Sequence, residues 1–484
     1  MSSDALISRG EGRPLSLDGA ALARLEQRIH KAAARRHGEP LLVSATSRVV
    51  RPASLTDLLR GAGVAGEPWA LIEQPDRRRR GLLALGAAAT IAADRNAVHR
   101  LAHIADRWQR RASTALADAP GGIPGSGVVL LGGIAFDADG GTGVTWDGFG
   151  GGDLTVPAVS IAADGPDASL TVTLEVRPGD DPGEALARAG LSTALLVPRP
   201  ADPADPFLAA PTVQSVLAAS HFTEAVARAV SRIGRGDFEK IVLAREIDVR
   251  STQPWDVPDV LHRLGERFPA CFVFGIGRGD GAMIGASPEL LLRRDGQRVE
   301  TVALAGSARR SDDPSVDDHL AAELLASGKD RREHDLVVQR IRRTLGPHAL
   351  WVTAPEAPQV VTVANVHHLA TPIRAQLDGR ARLLDLVDAL HPTPAVGGEP
   401  SAAALRAIPE LEGMDRGWYA APIGWIDRAG DGEFFVGLRS GVIRGSGARL
   451  YAGVGVVADS DPTSELAETE IKLGAVLSAL RPTG

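Results

Sequence analysis

Residues 449–476 read RLYAGVGVVADSDPTSELAETEIKLGAV, a strand pattern that runs directly into a helix pattern. Because side chains alternate along a strand, Tyr451, Gly453 and Gly455 lie on one face. Glycine within a strand often marks the close approach of a ligand, although tight packing of a helix on the sheet would explain it equally well. Asp461-Pro462 then supplies a helix N-cap and a proline at the first helical position. The stretch predicts a bare strand face followed by a helix.

The predicted helix after Asp461 places acids beside an apolar stripe. Glu465, Glu468 and Lys472 fall within about 60° of one another on a helical wheel, and Val476 continues their arc. An i,i+4 pair between Glu468 and Lys472 explains part of this pattern as surface stabilisation. The same arc would also present two carboxylates to a ligand.

A second helical pattern, Leu320–Leu345, repeats this feature. Asp330, Glu333 and His334 share an arc with the apolar Val337. Carboxylates on an arc that faces the core are costly unless they are paired or bind a metal. The alternative is an arginine-rich surface helix whose charges reach water. Two helices with inward carboxylates would suit Mg²⁺, which takes one or two protein carboxylates together with water and substrate.

Alternating apolar patterns bounded by turn residues predict antiparallel hairpins. Asp295-Gly296 is a strong signal for a two-residue hairpin turn. The hairpin strands are predicted at Glu289–Arg294 with Gln297–Leu304, and at Phe434–Ile443 with Arg449–Val457. Arg439 would stand between Gly437 and Gly441 on one strand face, a floor suited to a flat anionic molecule. Hairpins of this kind predict an α+β fold with large antiparallel sheets.

The composition is that of an ordinary globular protein, with 44% hydrophobic and 23% charged residues. No apolar run approaches the roughly 18 residues of a membrane span, and residues 1–6 carry no secretory signal pattern. A formal charge of −7 argues against general nucleic-acid binding. The single cysteine, Cys271, excludes an internal disulfide and a multi-cysteine zinc site. We therefore expect a cytoplasmic protein without a nucleic-acid or membrane partner.

Lysine is unusually rare in this chain. Of the 53 basic residues only Lys31, Lys240, Lys329 and Lys472 are lysine, which leaves 49 arginines. A lysine that persists against this bias is a candidate for a role that arginine cannot fill, such as losing its proton near neutral pH. Chance survival is the alternative for any one of them.

Seven sequence blocks, in this order, resemble those of the chorismate-utilising enzymes. They are KIVLAR at 240–245, GASPELL at 285–291, LAGSARR at 304–310, KDRREH at 329–334, HLATPI at 368–373, HPTPAVGG at 391–398, and AGVGVV at 452–457 with ELAETEIK at 465–472. The match runs from about Thr223 to Leu480. Residues 69–76 and 132–137 also resemble the longer isochorismate synthases associated with menaquinone. This N-terminal similarity is less specific than that of the seven blocks.

The resemblance implies an anthranilate synthase component I-like fold, in which large antiparallel sheets form a sandwich flanked by helices. The predicted segments are a polar tail at 1–15, an N-terminal α/β region of the same fold at 16–197, a proline-rich connector at 198–211 and a chorismate-binding catalytic core at 212–484. The family also uses Mg²⁺ as its cofactor, and chorismate would be the small-molecule substrate.

Within the family, three positions of this chain favour isochorismate formation. Lys240 stands where ammonia-using members typically have glutamine. Ala305 occupies the position of the nucleophilic lysine of aminodeoxychorismate synthases. The loop 391–398 resembles the isochorismate type and not the Thr-Gly-x-Pro-Lys form of anthranilate and salicylate synthases. Val396 stands where siderophore-type relatives often carry leucine. This residue slightly favours a role in menaquinone biosynthesis but leaves the pathway open.

The resemblance also assigns roles to individual residues. Lys240 would be the base that deprotonates water, which requires a neutral amine, and Glu289 would be the acid that protonates the leaving hydroxyl, which requires a raised pKa. Glu333 and Glu468 would bind Mg²⁺ directly, with Asp330 and Glu465 acting through water. The implied substrate-binding residues are Gly306, Ser307, His334, His368, Ala395, Arg439, Tyr451, Gly453, Gly455 and Lys472.

Three other functions stay open at this point. A salicylate synthase would add pyruvate elimination to the same first step. An ammonia-using synthase is disfavoured by Lys240, so no obligatory glutamine amidotransferase subunit is expected. A catalytically inactive chorismate binder is disfavoured by the intact Lys240, Glu289, Glu333 and Glu468.

Overall fold

The computed structural model describes residues 15–63, 66–93, 99–119, 121–194, 196–201, 209–363 and 366–481. The helices within these ranges are α1 Gly19–Ala33, α2 Leu55–Ala62, α3 Arg100–Thr114, α4 Pro182–Ala194, α5 Ala219–Gly234, α6 Val257–Arg267, α7 Pro314–Ala326, α8 Gly328–Leu345, α9 Leu383–Leu390, α10 Ser401–Glu412 and α11 Pro462–Leu480. None of them is both long enough and apolar enough to cross a membrane.

The same ranges of the chain also contain the strands of the fold. They are β1 Leu41–Val50, β2 Gly66–Gln74, β3 Arg80–Leu85, β4 Ala89–Ala92, β5 Val129–Ile134, β6 Gly152–Val156, β7 Val159–Asp164, β8 Asp167–Val176, β9 Thr212–Ser215, β10 Lys240–Arg250, β11 Phe272–Gly279, β12 Gly281–Ser287, β13 Leu290–Asp295, β14 Arg298–Arg309, β15 Ala349–Thr353, β16 Gln359–Val363, β17 Val366–Leu377, β18 Gly398–Glu399, β19 Pro422–Asp427, β20 Gly432–Val436, β21 Ser440–Arg444 and β22 Gly447–Val456.

These strands form two sheets. The first has 12 strands in the order β1-β8-β7-β3-β2-β11-β12-β21-β22-β10-β18, with β9 also paired to β10. The second has 10 strands in the order β15-β17-β14-β13-β20-β19-β5-β6-β4, with β16 also paired to β17. The strand pairs in both sheets are antiparallel, so the predicted α+β fold with large antiparallel sheets is confirmed.

Alternating residues of β2 show how the layers are held together. Ala70 and Ile72 belong to a buried core that combines residues of both sheets. Trp69 and Leu71 point the other way, into a core that joins the 12-stranded sheet to α1, α2, α6 and α11. A strand buried on both faces in this way packs a second sheet on one side and helices on the other.

Two crossings between the sheets lie side by side. After β12 the chain passes through Glu289 into β13, and after β20 it passes through residues 437–439 into β21. The Val436 N–H donates to the Glu289 carbonyl at 3.0 Å, and the Ala286 N–H donates to the Arg439 carbonyl at 3.2 Å. The crossings therefore hold Glu289 and Arg439 close together at the place where the two sheets meet.

Three predicted elements differ from the structure. The predicted strand Phe434–Ile443 is two strands, β20 and β21, in different sheets, so Arg439 does not stand on a strand face between glycines. The helical pattern Leu320–Leu345 is broken at Ser327, whose side chain caps α8 by accepting from the Asp330 N–H. The hairpin turn comes one residue later than predicted, because Asp295 still pairs with Arg298.

The predicted domain boundary at 198–211 lies partly outside the described residues, which omit 202–208. Both sheets combine strands from before and after this segment. The division into 16–197 and 212–484 stays a prediction, and neither part supplies a complete sheet.

Candidate active site

A cavity of about 320 Å³ is lined by residues of β10, β14, β22, α8 and α11, together with the two crossings between the sheets. Its volume is within the range of small-molecule sites. The sequence-predicted site residues that line it are Lys240, Glu289, Gly306, Ser307, Asp330, Glu333, His368, Ala395, Arg439, Tyr451, Gly453, Gly455, Glu465, Glu468 and Lys472. The fold thus brings together side chains that are separated by more than 200 residues of sequence.

Lys240 is the first residue of β10, and its side chain is 1% exposed. Its Nζ donates to Oε1 of Glu333 on α8 at 2.7 Å. Gly455 of the neighbouring β22 leaves the space for this ion pair, since a Cβ there would lie 3.0 Å from Lys240 Cε and 3.1 Å from Glu333 Oε1. The bare strand face predicted from the sequence is therefore occupied by the ion pair between Lys240 and Glu333.

Glu289 enters the cavity from the crossing between β12 and β13. Burial raises the pKa of its carboxyl group to about 7, and the positive charges of Lys240 and Lys472 act in the opposite direction. A carboxyl group with this pKa is substantially protonated at neutral pH. Glu289 can therefore donate a proton under conditions in which an ordinary glutamate cannot.

Glu468 on α11 is held as a carboxylate. Burial tends to raise its pKa, but Lys472 and Ser307 outweigh burial, and the pKa lies below its ordinary value. The Lys472 ammonium contacts Glu468 Oε1 at 2.8 Å and donates to the Gly453 carbonyl at 2.9 Å. The Ser307 hydroxyl donates to the same Glu468 oxygen at 2.9 Å.

Two further acids lie at the cavity wall. Asp330 accepts a hydrogen bond from the Ser327 hydroxyl at the start of α8. Burial raises the pKa of Glu465, an effect that Lys329 and Lys472 oppose. Among the described residues, no three His, Cys, Asp or Glu side chains are arranged so that they could hold a metal ion together. Two carboxylates in one cavity nevertheless fit Mg²⁺, which takes one or two from the protein.

His368 connects the loop of Gly306 to Arg439. Its Nδ1–H donates to the Gly306 carbonyl at 3.2 Å, which leaves Nε2 to accept from Arg439 Nη2 at 3.2 Å. Burial and the charge of Arg439 lower the pKa of His368 to about 3, so the ring is neutral. His367, the adjacent residue on β17, points away and contacts Asp317 at 2.9 Å.

The family model described as chorismate binding enzyme matches residues 27–481. This chain belongs to the chorismate binding enzymes. Isochorismate synthase MenF from Bacillus subtilis (strain 168) is 38% identical over 406 residues, which is 82% of this chain and 85% of that protein.

Solved structures agree with this assignment. The menaquinone-specific isochorismate synthase MenF from Escherichia coli matches with a TM-score of 0.76 at 26% identity, covering 95% of this chain and 99% of that chain. Anthranilate synthase component I from Streptococcus pneumoniae shares the fold, with a TM-score of 0.64 at 21% identity over 89% of this chain and 92% of that chain. The predicted resemblance and the predicted fold of a chorismate binding enzyme are both confirmed.

One predicted pocket residue of this chorismate binding enzyme is placed elsewhere. His334 is fully buried behind the cavity wall, where its Nε2 contacts the Thr371 hydroxyl at 2.7 Å. Adjacent residues of a helix point about 100° apart, so the turn that directs Glu333 into the cavity directs His334 into the sheet. The prediction that His334 lines the pocket is wrong.

Sequence reasoning missed several residues that line the cavity, including Lys329, Arg416 and Tyr419. The signal for Lys329 was the scarcity of lysine, since three of the four lysines of the chain line this one cavity. Tyrosine is scarce as well, and both tyrosines of the chain, Tyr419 and Tyr451, line the cavity. Their rings stack with centroids 5.3 Å apart.

Arg416 had no such signal, because its role depends on contacts between distant segments. Its guanidinium donates to the Val396 and Val242 carbonyls, each at 2.8 Å, and forms a buried ion pair with Glu412. The Glu412 carboxylate in turn accepts from the Ala244 N–H at 2.7 Å. Arg416 thereby joins the loop 391–398 to β10, close to Lys240.

Proposed function

We propose that this chain is an isochorismate synthase, which adds water at C2 of chorismate and expels the C4 hydroxyl. The observation that carries the proposal is the presence of Lys240 and Glu289 in one cavity, with burial raising the pKa of Glu289 to about 7. The names of the relatives support it, since MenF of Bacillus subtilis and MenF of Escherichia coli are both called isochorismate synthases.

In the proposed reaction the two side chains act on different oxygen atoms. Lys240, as a neutral amine, takes a proton from water while the water oxygen bonds to C2. The ring double bond shifts, and the C4–oxygen bond breaks. Glu289 gives its proton to the departing hydroxyl, which leaves as water. The elemental composition of the substrate is unchanged, so the reaction is an isomerisation.

Positive charge in the cavity would hold the carboxylates of chorismate. Arg439 and Lys472 both line the cavity, and main-chain groups of Gly306 and Gly453 lie beside them. Charge-assisted hydrogen bonds from such groups are stronger than neutral ones. Glu333 and Glu468 would hold Mg²⁺ directly, and Asp330 and Glu465 would act through water. The ion would supply further positive charge for a substrate carboxylate.

The choice of water as nucleophile distinguishes this proposal from an ammonia-using synthase. Lys240 stands where a base for water is needed, and no other subunit would have to deliver ammonia. The proposal therefore includes no glutamine amidotransferase partner.

We expect the purified protein to convert chorismate to isochorismate with Mg²⁺ present and to lose this activity in EDTA. Chromatographic separation of the products, with and without ammonium, is the measurement. Ammonium should change neither the product nor the rate, because water is the nucleophile. Salicylate with pyruvate would identify a salicylate synthase, an aminated product would identify an ammonia-using enzyme, and no conversion would identify an inactive binder.

A further inference from the structure

Both carboxylates of the proposed metal site carry an ammonium partner. Lys240 Nζ lies 2.7 Å from Glu333 Oε1, and Lys472 Nζ lies 2.8 Å from Glu468 Oε1. Neither pair is a solvated surface contact, since the four side chains are 1%, 14%, 19% and 33% exposed in that order. Each lysine thus neutralises one of the two carboxylates that the proposed function assigns to a divalent cation.

A carboxylate that holds a divalent cation and an ammonium group together must share one negative charge between two cations. The two cations would then lie a few ångströms apart, and like charges at that separation repel strongly in a partly buried site. Binding of the cation therefore weakens the ion pair with the lysine.

Resting on the proposed function, we infer that Lys240 and Lys472 compete with the divalent cation for Glu333 and Glu468. In the metal-free protein the lysines occupy the carboxylates. When the cation binds, Lys240 is detached from Glu333 and Lys472 is detached from Glu468, which leaves Lys472 available to a substrate carboxylate. The cation thus displaces both lysines from their carboxylates in addition to contributing its own charge.

Lys329 provides a matched control within the same cavity. It lines the wall near Glu465, yet its ammonium makes no ion pair within 4.0 Å with any carboxylate among the described residues. Replacing Lys329 removes one positive charge from the cavity without releasing Glu333 or Glu468. The difference between variants at the three lysines therefore separates competition from general electrostatic attraction.

The test is a titration of the protein with Mn²⁺ in the absence of substrate, because Mn²⁺ takes oxygen ligands as Mg²⁺ does. The electron paramagnetic resonance signal of the free ion measures how much Mn²⁺ is bound. Lys240→Met and Lys472→Met should each bind Mn²⁺ about ten-fold more tightly than the wild type, the size expected for losing one charge-assisted hydrogen bond. Lys329→Met should increase the affinity for Mn²⁺ by a clearly smaller factor. Equal gains in the three variants, or no Mn²⁺ binding by any of the proteins, would overturn the inference.

Thermal melts of each variant show whether it is folded. If Lys240→Met does not fold, Lys472→Met decides the question, because Lys472 is the more exposed of the two. Product formation by the wild type separates this inference from the proposed function. Isochorismate formation with unchanged Mn²⁺ affinities overturns the competition alone. Tightened affinities without conversion of chorismate support the competition and overturn the proposed function.

Discussion

Lys240→Ala should lower kcat by about 10²–10⁴-fold, the usual contribution of a general base. The variant retains Glu289, Arg439 and Lys472 but has no group that can take a proton from the attacking water. Steady-state assays of isochorismate formation measure the loss. Arginine at this position should be equally inactive, since its guanidinium does not release a proton near neutral pH.

The loss must be separated from unfolding, because Lys240 is buried and paired with Glu333. Glu333 lines the cavity, so water can solvate its carboxylate once the lysine is gone. Lys240→Gln is a second variant that keeps a hydrogen-bond donor at the site. Lys31→Ala, at the exposed lysine of α1, is the matched control and should match the wild type. Near-normal turnover by a folded Lys240→Ala would remove Lys240 from the mechanism.

Glu289→Gln should lower kcat by about 10²–10⁴-fold while changing KM by only a few-fold. The amide has nearly the shape of the carboxyl group but cannot protonate the departing hydroxyl. Glu323→Gln, at an exposed position of α7, serves as the control and should retain full activity. A Glu289→Gln enzyme that loses affinity but not kcat would point to a binding role for this residue.

The same residue gives the pH dependence a definite sign. Glu289 must carry its proton to act as an acid, and burial raises its pKa to about 7. The active form is therefore depleted as the pH rises above about 7, and kcat/KM should fall by up to about tenfold per pH unit. The residual rate of Glu289→Gln should lack this alkaline decline.

Local patterns predicted much of this site. Alternation along β22 placed Tyr451, Gly453 and Gly455 on one face, and all three line the cavity. The helical arc of α11 placed Glu468 and Lys472 together, and they form an ion pair. These predictions succeeded because each depends only on the period of one regular element.

The predictions that failed depend on how elements pack against each other. Arg439 was assigned to a continuous strand, because the sequence from Phe434 to Ile443 gives no sign that the chain passes from one sheet to the other. His334 was placed in the pocket by the family resemblance, and its helical arc is too broad to separate it from Glu333. The contacts of Arg416 with Val242 and Val396 join segments that no local pattern relates.

The most direct test of the proposed mechanism is the source of the new hydroxyl group. Wild-type protein is incubated with chorismate and Mg²⁺ in water enriched in ¹⁸O, and isochorismate is analysed by mass spectrometry at low conversion. Addition of water at C2 with loss of the C4 hydroxyl predicts one ¹⁸O atom in each isochorismate molecule, at the C2 hydroxyl. Isochorismate without ¹⁸O would mean that the original hydroxyl moves within the molecule, and it would contradict the roles proposed for Lys240 and Glu289.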